Sequence, residues 1–221
     1  VGRLGAVPLA AVSLSCSIIT NVMMIGLGIA MALTPLAGVK FVRNNKKGAA
    51  ILFQNSMLLN ILIGLLSCAL LVGINPLLGY MNQPIEVLNS LDGYYYWTTF
   101  SLVPYMVFLT FKQMLEGLGN TLYSMLITIG CNLLNIFLNF GFIYGYMGFP
   151  QLGATGAGVA TFIARMAMPL VFVIIVYTKK NYCFYLSLFC WKKTSLLRQY
   201  QLFKVGIPIA TQMTLALFSL T

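Results

Sequence analysis

Apolar residues run along this chain in long unbroken blocks, and the polar ones inside the blocks recur every three or four positions. The blocks lie near 6–36, 49–74, 92–117, 121–146 and 152–178, with a shorter sixth at 203–221. Each of the first five reaches the roughly 20 residues that cross a hydrocarbon core as a helix. They do not alternate as barrel strands do, and backbone groups in lipid must be satisfied within the segment, so the pattern predicts helices. The expected fold class is all-α, a polytopic transmembrane helix bundle.

The polar positions inside the blocks make stripes. In "CNLLNIFLNFGFIYG" (131–145) the residues that break the apolar run are Asn132, Asn135 and Asn139. At about 100° per residue they fall within about 60° of one another. Ser124 and Thr128 extend the stripe one way and Tyr146 the other, while Ile129, Leu133, Phe137 and Phe140 fill the opposite side. Ser13, Ser17, Thr20 and Asn21 share a face of the first span, Ser56, Asn60 and Ser67 one of the second, and Tyr94, Thr98, Ser101 and Tyr105 one of the third. A stripe serves either as interhelical glue or as the wall of a polar cavity. Four stripes in four helices favour a shared cavity, with Asn132, Asn135, Asn139, Asn60, Asn21, Tyr105 and Thr128 as its expected substrate or ion pathway.

Composition agrees with a bilayer solvent: 60% of the residues are hydrophobic and 7% charged, more apolar surface than a soluble domain can hide. The net charge of +10 would suit nucleic acid, but its placement argues for topology instead. Lys40, Arg43, Lys46 and Lys47 lie between the first two spans, Lys112 at the end of the third, and Lys179, Lys180, Lys192, Lys193, Arg198 and Lys204 between the fifth and sixth. These regions alternate onto one side, which the positive-inside rule makes cytoplasmic, whereas Arg3, Glu86 and Asp92 fall on the other. Segments 38–48 and 179–203 are thus expected on the cytoplasmic face of the plasma (inner) membrane, in contact with membrane lipids, with no nucleic-acid partner. Segment 179–203 mixes aromatic and basic residues and is expected to lie amphipathically in the interface, dividing a bundle at 1–178 from a new helix starting at 204–221. The loop at 75–90 is expected to be polar and outward. The pattern of a cleavable signal peptide is absent, and Val1 and a last span stopping at Thr221 give the chain the look of an excerpt.

Chemistry is sparse. There is no histidine, and the three acids are dispersed: Glu86 in a loop, Asp92 and Glu116 at helix ends. The five cysteines Cys16, Cys68, Cys131, Cys183 and Cys190 form no metal or disulfide framework. No catalytic residue, metal site or cofactor is expected, and an enzyme is disfavoured. Pro104 and Pro169 fall inside spans and Pro35 near the end of one, where a proline frees a carbonyl and permits a bend. Arg165 stands alone as a charge deep in a span, either a functional group or a structural one reaching helix-end carbonyls or water. Small residues four apart in "GLGIAMA" (26–32) and "GATGAGVA" (153–160) are expected to let helices approach closely.

The order of these features resembles one family. "VGRLGAVPLAAVSL" (1–14), "EGLGNT" (116–121), "NLLNIFLNFGFIYG" (132–145), "GFPQLGATGAGVATFIAR" (148–165) and "KVGIPIATQM" (204–213) resemble, in sequence order, segments of the multidrug and toxic compound extrusion (MATE) transporters, in their NorM-like branch. The resemblance covers essentially the whole chain. It implies the N-terminal lobe of a twelve-helix, two-lobed transporter without its first helix, then the linker and the start of the seventh helix, the second lobe of the same chain being a further partner. It also implies export of drugs or organic cations in antiport with Na⁺ or H⁺ by alternating access. Asn139 stands where one branch of the family has an essential Asp, and an amide carries no proton at physiological pH. Ala216 aligns with a Glu of many NorM-like members. The alternatives are a lipid-linked oligosaccharide flippase of the same wider superfamily and a non-transporting membrane scaffold whose stripes are glue.

Overall fold

A computed structural model describes residues 5–80, 84–145, 148–178 and 195–218. The long elements it describes are all helical: α1 (Ala6–Met31), α2 (Leu33–Val42), α3 (Lys46–Ile74), a 3-10 helix (Asn75–Tyr80), α4 (Ile85–Phe100), α5 (Leu102–Gly117), α6 (Leu122–Tyr144), α7 (Gly153–Thr178) and α8 (Leu196–Phe218). Among the described residues, four stretches are long and apolar enough to cross a membrane: Ala6–Val42, Lys46–Leu78, Leu122–Tyr144 and Gly153–Thr178.

Two spans read from sequence as single helices are each two helices in line. The first breaks at Ala32 and the third at Ser101, each three residues before a proline, Pro35 or Pro104. A proline lacks the N–H that would reach the carbonyl four residues back and crowds that carbonyl, so the helix opens just there, at Met31 and Phe100. Pro169 and Pro208, by contrast, lie within the unbroken α7 and α8.

Three expectations about connections change. The outer segment expected as a polar loop at 75–90 is mostly helical, with Asn75–Tyr80 and the start of α4 at Ile85. There Asn75 Nδ2 donates to the Tyr96 hydroxyl at 2.7 Å and to Asp92 Oδ1 at 3.3 Å, so the polar groups of the loop close on the helix beside it. Segment 38–48 is likewise short of loop: α2 runs on to Val42, and α3 starts at Lys46 with Asn45 Oδ1 accepting from the Gly48 N–H at 2.8 Å. Residues 179–194 of the expected linker lie outside the described residues. The rest of it, from Leu196, is continuous with the last span in α8, so the boundary expected near 203 falls inside a helix.

The bundle is held by close backbone approach and by aromatic packing. A Cβ on Gly156 would lie 2.4 Å from the Phe142 carbonyl oxygen, and one on Gly28 2.3 Å from the Ala210 Cα. The small-residue repeats thus bring α7 onto α6 and α1 onto α8. Between α3, α5 and α7 the rings of Phe53, Phe111, Phe172 and Phe108 form a chain with centroid separations of 5.4, 5.9 and 5.5 Å. Outward, Leu126, Leu133, Ile136 and Phe140 of α6 and Leu170 and Ile174 of α7 are exposed, as lipid-facing side chains are.

The basic ends gather at one end of the bundle. Thr34 of α2 donates to the Gln113 carbonyl of α5 at 3.2 Å, and Gly117 abuts Thr34 and Ala37. Near the start of α3, the fully buried Asn55 accepts the Ser195 N–H just before α8 at 2.9 Å. Lys112 pairs with Glu116 at 3.9 Å on this same end of α5.

Candidate functional site

Between α5, α6 and α7 lies an open cavity of about 350 Å³. α5 contributes Tyr105, Phe108 and Lys112, α6 contributes Thr128, Asn132 and Asn135, and α7 contributes Thr161, Ala164, Arg165 and Met168. The spacings 105/108/112, 128/132/135 and 161/164/165/168 each mark one face of a helix, so the wall is built by periodicity. α6 packs chiefly on α7 and turns its polar face to the gap left beside α5.

Arg165 is the cationic centre of this wall. One guanidinium nitrogen donates to Ser101 Oγ at 2.9 Å and the other approaches Met23 Sδ at 3.7 Å. Its carbon sits 4.9 Å from the centre of the Tyr105 ring, a cation–π distance. Ser101 occupies the break above Pro104, so the bend delivers a hydroxyl to the arginine; that hydroxyl donates its own proton to the Thr98 carbonyl.

The amides of α6 are ordered by one another. Asn139 Nδ2 donates to Asn135 Oδ1 at 2.9 Å, and Asn139 Oδ1 is buried with no hydrogen-bond partner among the described residues. Asn135 therefore keeps its NH₂ for the cavity. Thr128 and Thr161 donate to the Ser124 and Ala157 carbonyls, each at 2.8 Å, which leaves oxygen lone pairs for a ligand.

Of the residues singled out from sequence, Asn132, Asn135, Thr128, Tyr105 and Arg165 meet at this cavity, and Asn139 supports it through Asn135. Asn60 and Asn21 are not among its lining residues. Asn60 is 1% exposed and donates to Thr110 Oγ1 of α5 at 2.8 Å, an interhelical bond. Asn21 donates to the Ser17 carbonyl of its own helix at 2.9 Å, and Ser17 to that of Ser13 at 3.0 Å, so the first stripe is satisfied along α1. The third and fourth stripes thus meet at this cavity, through Tyr105 and through Thr128, Asn132 and Asn135, while Asn60 of the second and Asn21 of the first make the bonds just described. Tyr146, Cys183 and Cys190 lie outside the described residues. Lys112 and Thr161 were missed as lining residues. Their signal was present in the spacing to Tyr105 and Phe108 and to Arg165, but it is a pattern across helices rather than within one.

A membrane-embedded helical bundle with a polar, cationic pocket between apolar helices is the architecture of a lobe of a polytopic membrane protein. The family model MatE matches residues 1–140, and the chain belongs to that family. It is 31% identical over 209 residues to a multidrug resistance protein NorM from Vibrio vulnificus, covering 95% of this chain and 46% of that protein. A probable multidrug resistance protein NorM from Idiomarina loihiensis is 29% identical, covering 95% of this chain and 45% of its own. Among solved structures, a MATE protein in complex with MaD3S superposes with a TM-score of 0.85 at 22% identity, over 99% of this chain and 49% of that one. A MOP superfamily transporter from Pyrococcus furiosus gives 0.84 at 21% identity, over 99% and 48%. The chain thus spans about half the length of the curated relatives it matches, and the likeness to the solved structures is one of fold.

Proposed function

We propose that this chain forms one lobe of a multidrug efflux transporter that exports drugs or organic cations by alternating access, in antiport with Na⁺ or H⁺. The observation that carries the reading is the polar cavity walled by α5 and by the membrane-length helices α6 and α7 of a NorM-like chain. Such a pocket combines aromatic and aliphatic walls from Tyr105, Phe108 and Met168 with convergent polar groups, the composition of a small-molecule site. In repeat-built transporters the substrate lies where the repeats face each other, so the second lobe of the complete protein would close this cavity. The membrane is the plasma membrane, with the basic end of the bundle in the cytoplasm.

Among the described residues no carboxylate lines the cavity. Asn139 is neutral, and Ala216 takes the place of the helix-seven Glu in the resemblance drawn above. The test is dye efflux by the complete protein in proteoliposomes under an imposed Na⁺ gradient and, separately, an imposed pH gradient. One of the two should drive efflux. If neither does, and dye neither binds nor moves, the transporter reading fails.

A further inference from the structure

We propose that Arg165 is the positioning residue of this cavity: from α7 it clamps the break between α4 and α5 and holds the Tyr105 ring as a wall for the ligand. This role deepens the ligand-site reading above and rests on it.

At the break, backbone groups must find partners outside their own helix. Pro104 has no N–H for the Phe100 carbonyl, and the helix opens at Ser101, which is fully buried. In a membrane bundle the polar groups of an opened turn are satisfied by side chains of the turn and its neighbours. Cys68 Sγ of α3 donates to the Thr99 carbonyl at 3.0 Å, and the Ser101 hydroxyl turns back to the Thr98 carbonyl. Arg165 donates to that hydroxyl at 2.9 Å, so α7 is tied to the break itself.

The same guanidinium reaches one turn further along α5. The Tyr105 N–H donates to the Ser101 carbonyl at 3.2 Å, which sets the two residues one above the other on a single face. The guanidinium carbon lies 4.9 Å from the centre of the Tyr105 ring, and that ring lies 5.9 Å from Phe108, centroid to centroid. Both rings line the cavity. A planar guanidinium hydrogen-bonds in its plane and stacks through its face at once, which an ammonium does not. Arg165 thus fixes bend and ring with one group, while its other nitrogen approaches Met23 Sδ of α1 at 3.7 Å. A rotation of α5 about the break would carry Tyr105 and Phe108 away from α6 and α7. This role requires no group to be missing: the clamp uses one face of the guanidinium and part of its five N–H donors, and the remainder stays available to groups of the complete protein.

The test uses the complete protein in lipid nanodiscs and two isosteric fluorescent probes, the charged naphthylmethylammonium and the neutral naphthylmethanol. Arg165→Gln should weaken binding of both by a similar factor, about three- to tenfold, the scale of one polar contact. Arg165→Lys should restore part of the loss for both. In a Tyr105→Ala background, Arg165→Gln should cost less than about twofold more, because the ring through which it acts is already gone. Ser101→Ala removes the hydroxyl end of the clamp and keeps the charge. It should weaken both probes as well, and it decides the matter if Arg165→Gln does not fold. A merely structural arginine would lower thermal stability and leave both affinities unchanged. An arginine that meets the ligand directly would move the probes apart, the ammonium gaining where the alcohol loses. Unchanged affinities, opposite shifts, or losses that multiply in the double variant overturn the inference and leave the cavity as a ligand site. Absence of binding of both probes to the unaltered protein overturns the cavity reading with it.

Discussion

Asn60 and Asn139 look alike in sequence, each an amide in an apolar helix, yet their surroundings assign them opposite work. Asn60 is buried and bridges α3 to Thr110 of α5. Removing it deletes an interhelical hydrogen bond of a kind that contributes about 0.6 kcal/mol on average and up to about 1.7 in membrane bundles. Asn60→Leu should lower the thermal stability of the complete protein by that order and leave ligand affinity unchanged. Asn139 differs in its place. Each amide has a buried Oδ1 without a hydrogen-bond partner among the described residues, but Asn139 Nδ2 orients Asn135 within α6 rather than tying two helices together. Asn135 borders an open cavity, where water replaces the donor that Asn139→Leu removes. Stability should therefore change by less than about 0.5 kcal/mol, while the Asn135 amide is released and affinity for a cavity ligand falls. Thermal unfolding and ligand titration on the two variants separate glue from cavity wall. If both move stability and affinity together, the division drawn here is wrong.

At the scale of helices, the sequence announces spans better than their interruptions. The blocks at 49–74, 121–146 and 152–178 correspond closely to α3, α6 and α7, because long apolar runs at helical period leave few alternatives in lipid. The breaks at Ala32 and Ser101 were legible only as prolines, since Pro169 and Pro208 sit in helices that do not break. Whether a helix opens depends on what its neighbours offer the freed carbonyl, and one helix's sequence does not say. Small residues carry the complementary problem: the same glycine is a contact in one place and a bare helix position in another. A Cβ on Gly156 would strike the Phe142 backbone, whereas one on Gly130 would meet nothing within 4 Å. Backbone cannot swing aside as a side chain can, so Gly156→Ala should cost about 1–3 kcal/mol, the range of an overpacked core. Gly130→Ala should be neutral, or stabilising by up to about 1 kcal/mol through helix propensity. Unfolding of both variants of the complete protein in one detergent makes the comparison, and equal losses would refute the close α6–α7 approach.

Over the whole molecule, the candidate site was half legible for a reason of geometry. A stripe on one helix can be read from spacing, as with Asn132, Asn135 and Asn139, but whether two stripes meet depends on how the helices pack. Thus Asn21 and Asn60 do not line the cavity that Asn132 and Asn135 border, whereas Thr161 and Lys112, which no stripe included, do. The charge pattern is more robust, because sidedness requires only that ends alternate. Contacts between α2 and α5 and between Asn55 and Ser195 bring the basic segments together, and Asp92 lies at the Asn75 end, so the asymmetry read along the chain is also an asymmetry in space. In the orientation proposed above, the turn at Arg43, Asn44 and Asn45 faces the cytoplasm. Asn45 caps α3 and Asn44 has a φ of 52°, so a cysteine at either would disturb the turn it reports on. Lys47 is exposed in the first turn of α3, with no capping role. In a complete protein freed of its natural cysteines, Lys47→Cys should resist a membrane-impermeant maleimide added to intact cells and react once the cells are permeabilised. Tyr96→Cys is a poor partner for this test, because its hydroxyl holds Asn75, whereas the exposed Glu86 at the opposite end of the bundle is suitable. Glu86→Cys should show the reverse accessibility and label in intact cells. Labelling of Lys47→Cys from outside together with protection of Glu86→Cys would invert the topology. The basic end would then face away from the anionic inner leaflet, and the transport direction proposed for the cavity would have to be inverted with it.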